Sequence, residues 1–181
     1  GAPAEADLDA FLNKYTIFDI RGANDFASGH IQGAINVPFA NILDEAEKAS
    51  KQILVVCYTG QTACYATSLL RLYGYPNTQS LKWGMSGWNS QTAGSWNNNT
   101  GDAAKGNSNW SYAAALSPTV YDDPELSSLS QDGAEILRQR VEDVVAGGFK
   151  TAKGADVLAN PANYFINNYF SAADFDGFGH M

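Results

Sequence analysis

Apolar positions along the first half of the chain switch between a helical and an extended spacing. ADLDAFLN, Ala6 to Asn13, carries an amphipathic helical pattern. YTIFDI, Tyr15 to Ile20, is rich in the β-branched and aromatic residues that favour strands. A helical turn is expected over Asp25 to Gly29, and a short strand over Ala34 to Val37, closed by Pro38. Residues 39, 42, 43 and 46 form a helical stripe within Phe39 to Ala49. Ile53 to Val56 is a continuous apolar run, as expected of a strand covered on both faces. Thr62 to Tyr73 then puts Ala66, Leu69, Leu70 and Tyr73 on one helical face, with Gly74 where a left-handed C-terminal residue is wanted. Thr78 to Leu81 reads as another strand, and Gly84 to Trp88 as a tight turn into a short helix. Strands alternating with helices predict an α/β domain with a central, mostly parallel sheet flanked by helices.

The pattern then stops. Twelve of the 21 residues from 89 to 109 are Asn, Gly or Ser, so this is a surface loop with Trp96 and Trp110 pinning its ends. Ser127 to Ala146 resumes a helical stripe through Leu129, Ile136, Leu137, Val141, Val144 and Val145, ended by Gly147-Gly148. Arg138 and Glu142 are spaced to pair across one turn. Near the end, NYFSAADFDGFGHM, Asn168 to Met181, echoes IRGANDFASGHI, Ile20 to Ile31. Asp-Phe and then Gly-His-apolar recur in both, and ADVLAN, Ala155 to Asn160, echoes ADLDAFLN. The expected organisation is a first domain over 1–116, with its polar loop at 89–112. A linker and amphipathic helix follow over 117–153. A partial repeat of the first domain's start covers 154–181, giving a largely helical C-terminal extension.

Composition narrows the function. The 181 residues are 45% hydrophobic and 12% aromatic, enough for one packed domain and an extension. The net charge of −8 leaves no basic stripe for phosphate backbones, so no nucleic acid is expected as a partner. No apolar segment approaches the ~20 residues that span a bilayer. The N-terminal GAPAEAD is small and polar, like a mature N-terminus after signal cleavage or the scar of a removed tag. The first reading predicts a periplasmic or otherwise extracytoplasmic protein, the second a cytoplasmic one.

Two cysteines, Cys57 and Cys64, lie seven apart, which is neither a redox nor a zinc spacing. Cys57 ends the apolar strand, and Tyr58, Thr59, Gly60, Gln61 and Thr62 lead into a helix. A thiol becomes a good nucleophile only when ionised, and a helix N-terminus favours its thiolate. Gly60 permits the positive φ of a tight amide nest, so the amides of 58–62 would face the sulfur. Carboxyl ends of parallel strands are also where α/β folds place their sites. On this pattern alone, Cys57 is equally a nucleophile or a buried small apolar residue. Cys64, inside the helix, reads as structural.

Three motifs in order then carry a resemblance: DIRGANDFASGHIQGAINVPF (Asp19 to Phe39), VCYTGQTA (Val56 to Ala63) and LKWGMSGW (Leu81 to Trp88). Together they resemble the rhodanese-like sulfurtransferases over about residues 5–90. The resemblance implies a rhodanese-like fold and Cys57 as catalytic nucleophile. It implies a cycle in which Cys57 takes sulfane sulfur from a small donor such as thiosulfate or a persulfide. The Cys57 persulfide then passes that sulfur to a thiol or cyanide-like acceptor. The amides of Tyr58, Thr59, Gly60, Gln61 and Thr62 would hold the donor, and the cycle needs no cofactor and no metal.

Phosphatases of this fold carry an arginine six residues after the cysteine, and that place is Ala63. The loop holds no cation of its own, which leaves Arg21, Lys82 or Arg71 to supply charge, with Trp83 as a pocket wall. Asp19 and Arg21 are expected to form a buried pair bracing the loop, and His30 to hydrogen-bond structurally in its Gly-His-Ile turn. Asp174, Asp176 and His180 are better explained by the repeat than by a metal. The rival to an enzyme is a non-catalytic sulfur carrier or protein-interaction module. A homodimer through the C-terminal extension is a further expectation, because unpaired repeat strands need partners.

Overall fold

The computed structural model describes residues 3–114, 119–123 and 125–181. The expected domain boundary at 116/117, and the first two residues of the N-terminal segment, lie outside them. Contacts group the chain into two compact units, Gly1–Thr100 with Ser128–Phe149, and Gly101–Ser127 with Lys150–Met181.

The first unit is built on a four-stranded parallel sheet in the order β2-β1-β3-β4. The strands are β1 (Tyr15–Asp19), β2 (Ile35–Asn36), β3 (Gln52–Val56) and β4 (Gln79–Ser80). Around them lie helices α1 (Leu8–Lys14), α2 (Ala23–Ser28), α3 (Ile42–Ala46) and α4 (Gln61–Tyr73). Side chains two apart on a strand share a face, and that period divides the core in two. Phe18, Ile53 and Val55 face a cluster with Ile42 and Ala46 of α3 and Ala66 and Leu70 of α4. Ile17, Leu54 and Val56 face a second cluster with Leu81 and Met85, flanked by Phe11 and Trp88. Both faces of the sheet are therefore covered, which is why Ile53–Val56 is continuously apolar.

Two expectations change. The polar stretch after Trp88 is not all loop: it holds a 3₁₀ turn, Ser90–Thr92, and a helical turn α5, Gly94–Asn97. The Asn89 side chain starts the first by accepting from the Gln91 amide. The amphipathic helix begins six residues later than its stripe suggested, as α6, Gly133–Ala146. Ser128 and Ser130 hydroxyls accept from the amides of Ser130 and Asp132, and such local bonds compete with helix. Asp132 then caps the helix by accepting from the Glu135 amide. Leu129 is left fully exposed, whereas Val141 and Val145 are buried in the same cluster as α4.

The second unit contains α7 (Gly154–Ala159) and α8 (Ala172–Phe178). An isolated antiparallel bridge, Ser111 to His180, ties its two segments together. The Trp110 indole N–H donates to the Phe178 carbonyl. Across the described residues, no helix is long and apolar enough to cross a membrane.

Candidate active site

β1 and β3 run side by side with Asp19 opposite Val56, so both carboxyl ends finish at the same level. Cys57 follows immediately on β3, and α4 starts four residues later. Gly60, at φ 98°, turns the chain into the helix. Its amide donates to the Cys57 sulfur at 3.1 Å, and the Ala63 amide donates at 3.3 Å. The sulfur thus sits on the N-terminal end of α4, where the helix dipole and the free N–H groups favour negative charge. Of the five amides expected to face it, Gly60 does, and Ala63 joins from outside the expected set. Among the described residues, the amides of Tyr58, Thr59, Gln61 and Thr62 have no hydrogen-bond partner. Cys57 is 2% exposed.

The loop is held from outside by the segment after β4. Amides of Met85 and Ser86 donate to the carbonyls of Cys57 and Tyr58 at 2.8 and 2.9 Å. Gly84 makes this approach possible, since a Cβ there would lie 2.3 Å from the Cys57 carbonyl oxygen. Trp83, just before it, is the one non-glycine residue with positive φ among those described.

Arg21 is held beside the site by a buried ion pair. Its Nε and Nη2 grip the Asp19 carboxylate, with the closest contact 2.7 Å, and Nη2 also donates to the Gly29 carbonyl. Asp19 is wholly buried, so this pair ties β1 to the turn after α2. His30 stacks on Phe26 at 3.9 Å between ring centres, and its Nδ1 donates to the Phe26 carbonyl. Arg71 is far along α4 from the loop, where its Nε donates to the Thr78 carbonyl. Lys82 lies over the Trp83 ring at 5.7 Å, on the wall of a cavity that also touches Thr59, Gly60 and Gln61.

One brace escaped the sequence. The Tyr58 hydroxyl accepts from the Gly22 amide and donates to the Asp25 carboxylate at 2.5 Å. Burial, and then the bond to Asp25, raise the Tyr58 phenol above its usual range, so it stays a donor. This staple joins the loop to the start of α2. The acidic-aromatic pair Asp25-Phe26 was the available signal, because Asp25 serves Tyr58 while Phe26 seats His30.

Comparison with known proteins bears on this arrangement. The rhodanese-like domain family matches residues 4–91. The thiosulfate sulfurtransferase GlpE of Shewanella oneidensis is 35% identical over 79 residues, which cover 42% of this chain and 78% of that protein. GlpE of Pseudoalteromonas translucida is 36% identical over 74 residues, covering 40% and 70%. This chain belongs to the rhodanese-like family. Among solved structures, a rhodanese-related protein of Thermoplasma volcanium aligns at 25% identity with a TM-score of 0.42, covering 48% of this chain and 87% of that one. The match ends at residue 91, so α5, α6 and the second unit all lie outside it.

Ala63 separates this rhodanese-like loop from an arginine-bearing one. Its side chain is completely buried in the cluster behind the sheet while its amide turns to the sulfur. A guanidinium at this place would enter an apolar core instead of reaching an anion.

Proposed function

We propose that the protein is a sulfurtransferase whose nucleophile is Cys57. The observation that carries this reading is the sulfur itself, seated at the N-terminus of α4 with two amides donating to it. In the proposed cycle the Cys57 thiolate attacks the outer sulfur of thiosulfate or of a persulfide. A new S–S bond forms to Cys57. The donor's S–S bond breaks, and its electron pair leaves with sulfite or with the donor thiolate. The amides of Tyr58, Thr59, Gln61 and Thr62 are free to hold the anionic donor and then the terminal persulfide sulfur. A thiol or cyanide-like acceptor takes that sulfur and restores the thiolate. Asp19, Arg21 and His30 serve this reading as structural braces, with Lys82 and Trp83 on the outer wall.

The rival reading is a non-catalytic sulfur carrier or protein-interaction module, which would not turn over. Intact mass after incubation with thiosulfate, followed by thiocyanate release with cyanide, separates the two. Addition of one sulfur atom to Cys57 and repeated turnover support the enzyme, and loading without turnover supports the carrier. Loss of both in Cys57→Ser, with both kept in Cys64→Ser, assigns the nucleophile. Full turnover in Cys57→Ser would sink the mechanism. We also propose that 154–181 is a partial repeat of the first domain's start, whose exposed apolar side chains favour a homodimer. Cross-linking and size-exclusion before and after deletion of 150–181 test this, and an unchanged monomer would refute it.

A further inference from the structure

Beside the loop lies a cavity of about 430 Å³ whose wall the family match does not complete. Its inner side is the loop itself, Thr59 to Gln61. Gly60 belongs both to this wall and to the sulfur's hydrogen-bond set, so the cavity borders the loop that cradles the nucleophile. Its outer side is aromatic. Trp83 and Trp96 meet edge to face at 5.2 Å, yet they stay 50% and 42% exposed. Trp96 comes from α5, beyond the matched residues 4–91. Two indoles left half in water, inclined at 74° to each other, present an edge and a face to a third ring, the arrangement aromatic groups prefer. Lys82 supplies positive charge on the same wall.

We propose that Trp96, with Trp83, determines donor specificity: the cavity selects a singly charged sulfane-sulfur anion with a planar aromatic body over inorganic thiosulfate. The proposal rests on the transfer reading above and deepens it. The charge argument points the same way. Thiosulfate brings two negative charges toward a chain of net charge −8, whereas an arenethiosulfonate brings one. One ammonium on the wall matches one charge, because the Arg21 charge is already paired with the buried Asp19 carboxylate. In the proposed step the Cys57 thiolate attacks the terminal sulfur of the R–SO₂–S⁻ anion. Its bond to the sulfonyl sulfur breaks, and the electron pair leaves with the sulfinate R–SO₂⁻. Charge is conserved, and the aromatic body departs with the sulfinate.

The test has two arms. In the first, kcat/KM is measured for benzenethiosulfonate and for thiosulfate, with cyanide as acceptor. The expected result is a preference of about tenfold or more for the aromatic donor, falling toward unity in Trp96→Ala and partly restored in Trp96→Phe. Equal values for the two donors, or an unchanged ratio in Trp96→Ala, would overturn the assignment. In the second arm, tryptophan fluorescence of Cys57→Ser is followed on adding benzenesulfonate or sulfate, neither of which can transfer sulfur. Quenching by benzenesulfonate alone, lost with Trp96→Ala, supports the cavity; no quenching by benzenesulfonate counts against it. The arms distinguish the two claims. Failure of every donor to load Cys57 while benzenesulfonate still quenches refutes the transfer reading alone, and loading without discrimination refutes the specificity wall alone.

Discussion

Tyr15 to His30 and Tyr164 to His180 share a pattern, and only the first builds a sheet. In the first, β1 lies between β2 and β3, and Asp19 and Arg21 close a buried ion pair at its end. In the second, counting back from Asp174-Phe175 puts Asn168 and Phe170 at those two places. Among the described residues, Tyr164 to Phe170 form no strand, and Phe170 is 58% exposed. What both keep is local. Each has a short helix, then a glycine, then a histidine stacked on the helix phenylalanine, at 3.9 Å for His30 and 3.8 Å for His180. The stack needs only a dozen neighbouring residues, so it forms in both. The strand needs partners distant in sequence, and the first stretch alone has them.

Breaking the ion pair should show the contrast most strongly. Arg21→Met leaves the Asp19 carboxylate buried without its partner, a change that costs about 3–5 kcal/mol. Urea denaturation should register it as a large fall in the midpoint. Phe170→Met, the corresponding change in the second stretch, should stay within about 0.5 kcal/mol, as exposed sites do. Equal effects would mean that the two stretches are packed alike.

Glycines sharpen the same comparison. A methyl group added at Gly84 would lie 2.3 Å from the Cys57 carbonyl oxygen, on a residue with φ of 53°. The Gly84→Ala protein should lose about 2–4 kcal/mol from strain and overpacking together, and sulfur transfer should fall with the displaced loop. Gly154, at the start of α7, has nothing within 4 Å of the place a methyl would take, and Gly154→Ala should shift stability by less than about 0.5 kcal/mol.

Legibility followed the same division between local and distant. The sheet was readable because Tyr15–Asp19 and Ile53–Val56 carry their faces in their composition, and Cys57 because it follows the second of these. Ala63 was judged from its side chain, as the absence of an arginine, while its role here is an amide that any residue but proline supplies. The Tyr58 staple joins residues 33 apart: the Asp25-Phe26 pair marks one end, and nothing in the spacing names Tyr58 as the other. Leu129 fits the apolar stripe of α6, but two serine hydroxyls and an Asp cap decide where that helix begins. The second tryptophan of the wall lies in a stretch whose Asn, Gly and Ser content reads as loop.

Helix caps give a smaller contrast. Asp132→Ala removes an acceptor from the Glu135 amide at the start of α6 and should cost about 1 kcal/mol. Ser171 caps α8 in the same way, accepting from the Asp174 amide at 3.2 Å. That helix has seven residues and buries none of them, so Ser171→Ala should leave the urea midpoint almost unchanged while reducing helical circular dichroism slightly. A midpoint shift as large as that of Asp132→Ala would show that α8 is coupled to the cooperative core.

The smallest effect is a pH dependence confined to the first unit. Tyr73 on α4 donates to Glu142 on α6 at 2.8 Å, and Arg138 reaches the same carboxylate oxygen at 3.2 Å. The hydrogen bond from Tyr73, and then that from Arg138, lower the Glu142 carboxyl below its usual range. Burial and the same bond raise the Tyr73 phenol above its own. A depressed carboxyl adds stability that is full above its unfolded value and is lost as pH falls through the folded one. A raised phenol adds stability that is full below its unfolded value and is lost as pH rises through the folded one. The α4–α6 contact should therefore be firmest between the carboxylate and phenol ranges, weakening slightly on either side. All these groups touch solvent, so the effect should be small and should shrink further in salt. Comparing urea midpoints of wild type and Glu142→Gln across pH reads it directly: the variant should lose the acid-side slope that Glu142 contributes, and a slope unchanged by the substitution would remove this contact from the account of how α6 is held.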